Sequence, residues 1–262
     1  EIGSGLVGSE MCIRDSYIIT YAICPQIHTS TNIICQKKYL LWQNGVFMKK
    51  LGFGTMRLPL INPEDKTSID QNYFNQLADK FIEKGFNYFD TAYTYHDEKS
   101  EWAIKKALTE RYDRKDYILA DKMPTILIKS GDEYPMYFNR QLERTGAEYF
   151  DYYLMHNMGK DRYAKATEFG GFEFAEEMKK EGKIRKFGFS FHDDAETLDR
   201  ILTEHPDVDF VQLQINYFDW NNKIIQSRLC YETVVRHGKP IIVMAVSYTH
   251  LTLPTKLEVQ IS

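Results

Sequence analysis

The sequence predicts an α/β fold, a (β/α)8 TIM barrel truncated after about its seventh strand. Three observations predict it. From Met48 onward, seven short apolar runs alternate with amphipathic helical stretches, the pattern of parallel strands joined by crossover helices. No Gly-x-Gly-x-x-Gly follows a strand and no Walker loop is present, which argues against an open nucleotide-binding sheet. Polar residues also recur at the C-terminal ends of successive runs, where a barrel gathers its site.

The elements follow in order. Residues 51–55 read as the first strand and 70–84 as a helix; Ser68 and Gln71 have capping-box spacing at its start, and Gly85 follows its end. Residues 86–90 are the second strand, followed by a helix over 100–111. The third strand, 117–122, precedes a helix over 133–145, and the fourth, 152–156, precedes a helix over 163–181. The fifth strand is 186–190 with a helix at 195–202, and the sixth is 210–215 with a helix at 226–237. The seventh strand is 240–244, and the plausible protein stops there.

Composition narrows the class. The 262 residues are 43% hydrophobic and 27% charged, and the net charge of −4 gives no broad basic field for nucleic acid or an acidic membrane. No apolar run reaches the roughly 18–20 residues that span a bilayer. The four cysteines show neither metal spacing nor a disulfide framework. A soluble, cytoplasmic protein with no metal is expected.

The ends read differently. Residues 10–15 (Glu-Met-Cys-Ile-Arg-Asp) can be encoded by GAG ATG TGT ATA AGA GAC, whose reverse complement would encode residues 246–251 (Val-Ser-Tyr-Thr-His-Leu). This antisense match resembles a transposon-type sequencing adapter read on opposite strands. The expected organisation is therefore adapter and upstream translation over 1–47, an incomplete barrel over 48–245, and adapter translation over 246–262. A real strand or hairpin before Met48 is the alternative for 17–47. Three cysteines precede Met48, leaving Cys230 to speak for a reducing compartment.

Asp90 ends the second strand, with Tyr95 in the loop behind it. Lys122 ends the third, His156 the fourth and Ser190 the fifth, while the sixth offers Gln212, Gln214 and Asn216. Singly, each has a bland account: Asp90 before Thr91 can cap a helix, Tyr95 can pack, Lys122 can snorkel, and His156 can be a satisfied core histidine. Four at successive strand ends on one rim fit that account less well. A phenol with a pKa of about 10 is too weak an acid for neutral pH. A neighbouring ammonium stabilises the phenolate and lowers that value, a carboxylate holds the ammonium, and a histidine orients a carbonyl and shares the proton load. Together they can protonate a carbonyl as hydride arrives.

Residues 51–244 resemble the aldo-keto reductase family. Leu51-Gly52-Phe53-Gly54-Thr55-Met56 resembles its first strand, and Phe89-Asp90-Thr91-Ala92-Tyr93-Thr94-Tyr95 its most diagnostic segment. Ala120-Asp121-Lys122, Asp151-Tyr152-Tyr153-Leu154-Met155-His156 and the segment from Lys183 to Ser190 resemble those carrying its lysine, its histidine and its fifth-strand signature. The resemblance implies Tyr95 as general acid/base, Lys122 as its pKa modulator, Asp90 as the partner of Lys122, and His156 as the carbonyl-orienting group. It also implies cofactor contacts at Gly54, Thr55, Met56 and Asp90, with Ser190 and Gln212 on the nicotinamide carboxamide. The implied reaction is NAD(P)H-dependent reduction of a small aldehyde or ketone, with NADP rather than NAD implied by the resemblance alone. Alternatives are a non-catalytic nicotinamide-binding barrel that acts as a sensor or regulatory subunit, or an inactive truncated fragment.

Two departures stand out. Many family members have Asn after the fifth-strand serine, where this sequence has Phe191 and then His192. The sequence also ends before the segment that grips the adenosine 2′-phosphate. The wording around Leu51, Asp90 and Phe191-His192 is similar to a bacterial or archaeal branch that often carries a cysteine-rich iron–sulfur tail, and the sequence stops short of any such tail.

Overall fold

Residues 40–43, 46–49, 51–216 and 219–245 are described by a computed structural model of the chain. The stretches read as adapter translation, and most of 17–47, lie outside the described residues. Strands β1 (Leu40–Gln43) and β2 (Val46–Lys49) pair antiparallel, Leu41 opposite Met48. The start expected at Met48 therefore falls inside the second strand of a hairpin.

Seven parallel strands then form one sheet in sequence order: β3 (Gly52–Gly54), β4 (Tyr88–Asp90), β5 (Ile118–Met123), β6 (Phe150–Met158), β7 (Ile184–Phe191), β8 (Phe210–Gln214) and β9 (Ile241–Met244). Between them run α1 (Gln71–Glu83), α2 (Ser100–Ile104), α3 (Glu133–Thr145), α4 (Lys160–Glu168), α5 (Gly171–Lys180), α6 (Ala195–Glu204) and α7 (Ser227–Arg236). This is the wall of a (β/α)8 barrel through its seventh strand. Among the described residues, β3 and β9 are its two edges.

Local chemistry moved several boundaries. Asp70, not Ser68, caps α1: its carboxylate accepts from Tyr73 N at 2.9 Å, while Ser68 closes a turn with Asn62 and Asp65. The helix expected over 100–111 passes from α2 into a π-helical turn at Lys105–Thr109. The single helix expected over 163–181 is two, because Gly170 takes a left-handed φ of 71° that breaks the ladder. The fourth barrel strand does not end at His156; β6 runs on to Met158 through a bulge after Met155.

Both faces of the strands are buried, so they read as continuous apolar runs. Outward residues such as Phe53, Phe89, Leu119, Met155, Phe187 and Val211 pack under the helices. Phe53 lies 5.6 Å from Phe74, 5.6 Å from Phe81 and 5.7 Å from Phe89, ring centre to ring centre. Aromatic pairs of this kind add about 0.5–1.5 kcal/mol each beyond the area they bury. Inward residues one step along the same strands, Tyr88, Ala120, Tyr152, Leu154, Phe210 and Ile242, plug the barrel. Gly188 makes room for that plug, since a Cβ there would sit 2.2 Å from the Phe210 carbonyl oxygen.

Candidate active site

Side chains alternate along a strand, so two residues above the plug the inward positions become polar. Tyr88 is followed by Asp90, Ala120 by Lys122, Leu154 by His156, Gly188 by Ser190 and Phe210 by Gln212. Register sets Ser190 opposite Gln212 and staggers the others by two residues, with Asp90 opposite Ala120 and Lys122 opposite Leu154.

Lys122 organises the group. Its ammonium has three N–H donors, and all three are engaged: Asp90 Oδ1 at 2.5 Å, Thr91 O at 2.7 Å and Tyr95 Oη at 3.2 Å. The side chains of Lys122 and Asp90 are only 1% and 2% exposed. Burial opposes the ammonium, but the charge of Asp90 and the bonds to Asp90 and Tyr95 outweigh it and raise the Lys122 pKa. Gln212 Nε2 donates to Asp90 Oδ2 at 3.1 Å, so both carboxylate oxygens are held.

Tyr95 and His156 are the two that keep partial contact with solvent, and their rings meet edge to face at 5.7 Å. The expectation that Lys122 would lower the Tyr95 pKa is corrected in its net sign. Lys122 does lower it, but burial raises it more, and Asp90 adds to the rise. Tyr95 therefore holds its proton at neutral pH. Because Tyr95 Oη accepts from Lys122, its own O–H is left to donate elsewhere. His156 does not share the proton load as expected: burial, helped by the charges of Lys122, His192 and Arg162, pushes its pKa well below the ordinary histidine value. A neutral imidazole remains, with one N–H to donate and no proton to give up.

The expected cofactor contacts divide. Gln212 Oε1 is buried and, among the described residues, has no hydrogen-bond partner. The acceptor-only Asp90 fixes Nε2 on its own side, so Oε1 is an acceptor awaiting a donor. Ser190 Oγ accepts from Asn157 N at 2.7 Å and retains its O–H. An acceptor and a donor on adjacent strands match a primary carboxamide, so these residues fit a nicotinamide. Thr55 is a structural tie: buried, its Oγ1 donates to Asp90 O at 3.1 Å and lies 2.7 Å from Ser100 Oγ. Gly54 pairs with Asp90 in the sheet, and Met56 is 52% exposed.

Several residues carry the site without any signal in the sequence. His96, next to Tyr95, accepts from Leu58 N at Nε2 (2.9 Å) and places Nδ1 2.9 Å from Lys66 O, tying two loops together. It opens a run of three left-handed residues, His96, Asp97 and Glu98, a conformation costing about 1–2 kcal/mol per residue. On the outer face of β5, Asp121 accepts from Lys122 N at 2.8 Å and is fully buried beside the buried Glu101 of α2. Burial first, then the Glu101 charge, raise the Asp121 pKa well above the carboxylate range; burial raises Glu101 as well.

That pair has a testable cost. A carboxyl whose pKa is raised by folding stabilises the fold below its unfolded value and loses that contribution as pH climbs. Unfolding free energy should fall by about 1.4 kcal/mol for each pH unit above about 4 until Asp121 ionises. Urea titrations at several pH values should show a flatter decline in Asp121→Asn, and parallel slopes for the two proteins would refute the assignment.

Among the described residues, no group of three or more His, Cys, Asp or Glu could hold a metal, and no helix is long and apolar enough to cross a membrane. A family model described as the aldo/keto reductase family matches residues 50–252. None of the proteins with curated descriptions matches the sequence. Similar solved structures include an aldo-keto reductase from Bacillus halodurans in its holo form, 24% identical, with a TM-score of 0.55 over 76% of this chain and 62% of that one. An aldo-keto reductase from Klebsiella pneumoniae in complex with NADPH is 21% identical, with a TM-score of 0.55 over 79% of this chain and 66% of that one. One from Bombyx mori in complex with NADP is 17% identical, with a TM-score of 0.55 over 80% and 66%. At these identities the likeness is one of fold, and the chain spans just under two thirds of each of the three.

Proposed function

The chain belongs to the aldo/keto reductase family, and from that premise we propose that it reduces small aldehydes or ketones to alcohols with a nicotinamide cofactor, NADP in preference to NAD. The observation that carries this reading is the bonding of Tyr95: its phenol oxygen accepts from Lys122, so its own proton is free for a substrate oxygen.

Ser190 and Gln212 would hold the carboxamide, Ser190 donating to its oxygen and Gln212 Oε1 accepting from its amide. The bound reduced nicotinamide supplies the hydride. His156, kept neutral by burial, donates its N–H to the carbonyl oxygen and orients it. Tyr95 gives that oxygen a proton, and the phenolate left behind is stabilised by the Lys122 ammonium 3.2 Å away. Asp90 keeps Lys122 charged and in place. The buried, free Cys230, its thiol pushed up to about 12 by burial, fits a cytoplasmic setting.

The test is carbonyl-dependent consumption of NADPH by the purified chain, followed by loss of the reduced cofactor's absorbance across aromatic and aliphatic aldehydes. Turnover with NADPH exceeding that with NADH is expected. Tight cofactor binding without turnover would favour a non-catalytic sensor.

A further inference from the structure

The bulge in β6 does more than lengthen the strand. Asn157, directly after His156, takes a left-handed φ of 57°. That twist sends its two backbone groups different ways: its N–H reaches Ser190 Oγ at 2.7 Å, and its carbonyl accepts from Arg162 Nη1 at 3.2 Å. Arg162, in the first turn of α4, is thereby anchored to the residue beside the carbonyl-orienting histidine.

Arg162 is unusual among the enclosed arginines. Arg114 and Arg144, 19% and 12% exposed, each hold a carboxylate oxygen at 2.6 Å, Asp151 and Glu98 respectively. Arg162 is also half-buried, yet among the described residues it has no carboxylate partner. A guanidinium carries five N–H donors in a fork that suits a carboxylate, and among the described residues a single hydrogen bond, to Asn157 O, engages it. The nearby acid Asp193 is taken up elsewhere, its Oδ2 by Lys160 N and its Oδ1 by Asp194 N. His192 is exposed on the same rim. Lys122 is already paired with Asp90 and desolvation lowers the His192 pKa, so Arg162 is the cation at this rim that, among the described residues, lacks a carboxylate.

We propose that Arg162, presented by the Asn157 bulge with His192 alongside, is a specificity-determining residue that binds a carboxylate on the carbonyl substrate, so the preferred substrates are aldehydes or ketones carrying an acid group. This rests on the carbonyl-reductase reading. The substrate's carboxylate engages Arg162 while its carbonyl oxygen engages Tyr95 and His156. A cofactor phosphate is the other source of such an anion.

The experiment compares 4-formylbenzoate with its neutral methyl ester, in the wild type and in Arg162→Gln and Arg162→Lys. In the wild type, kcat/KM should favour the acid. A charge-assisted contact of about 1.5–3 kcal/mol corresponds to about 10–100-fold, so Arg162→Gln should shrink the acid-to-ester ratio by at least about tenfold, mainly through KM. Arg162→Lys should restore part of it. An unchanged ratio, or a raised KM for NADPH in place of a changed ratio, would overturn the proposal. If the wild type reduces neither aldehyde, the carbonyl-reductase reading is what has failed. Calorimetric binding of 4-formylbenzoate to wild type and Arg162→Gln, each with oxidised cofactor present, then decides the anion site: equal dissociation constants overturn it.

Discussion

Tyr95→Phe is expected to lower kcat/KM for carbonyl reduction by about 10²–10⁴-fold, the range typical of losing one positioned acid. The substitution removes a single oxygen. The ring can keep its edge-to-face contact with His156 at 5.7 Å, and Lys122 keeps its bonds to Asp90 and Thr91. Cofactor affinity should therefore change little, since Ser190 and Gln212 are untouched. Steady-state rates and cofactor fluorescence titrations on the same preparation separate the two effects. Turnover within about threefold of wild type would show that the proton comes from elsewhere, because one lost acid is worth far more than that.

Lys122→Met should be the most destabilising change at the site. It leaves Asp90, 2% exposed, as a buried carboxylate without its cation. Removing one partner of a buried pair costs about 3–5 kcal/mol. Thr91 O also loses its donor, and Tyr95 loses the one group that lowers its pKa without any relief from burial. Activity and stability should fall together. The double variant Asp90→Asn/Lys122→Met removes both charges and should recover part of the stability while staying inactive. Urea unfolding of the two variants is the measurement, and equal losses would mean that the buried charge is not the source of the cost.

The inward placing of the candidate site residues was legible because barrel strands repeat one rule. Asp90, Lys122, His156, Ser190 and Gln212 each stand at an inward position, and the alternation that buries Tyr88 or Phe210 forces the residue two further on to face the same interior. What the sequence could not carry was the balance between opposing effects. Lys122 beside Tyr95 suggests a lowered phenol pKa, but how deeply the ring is enclosed depends on chain far away in sequence, and enclosure wins. The Asn157 bulge was hidden because nothing about His156-Asn157-Met158 distinguishes a straight strand from a twisted one. The cap at Asp70 was missed for a related reason: Ser68 fits the spacing, but its hydroxyl is already committed to Asn62 and Asp65. The pair of Asp121 and Glu101 was equally invisible, since it depends on α2 docking against β5.

The bond between Gln212 and Asp90 joins residues 122 apart in sequence, whereas Lys122 reaches Asp90 across 32. Closing the longer loop costs more chain entropy, though only about 0.6 kcal/mol per doubling of length. The larger constraint is order. On a chain growing from its N-terminus, β3 to β6 can associate, and Lys122 can find Asp90, before β8 has been synthesised. Asp90 Oδ2 waits for its amide until β8 docks, and Gln212 Oε1, the acceptor proposed for the carboxamide, arrives in the same event. On the proposed reading, nicotinamide affinity is expected as a late reporter of folding: intermediates that already hold the Lys122–Asp90 pair would still lack it.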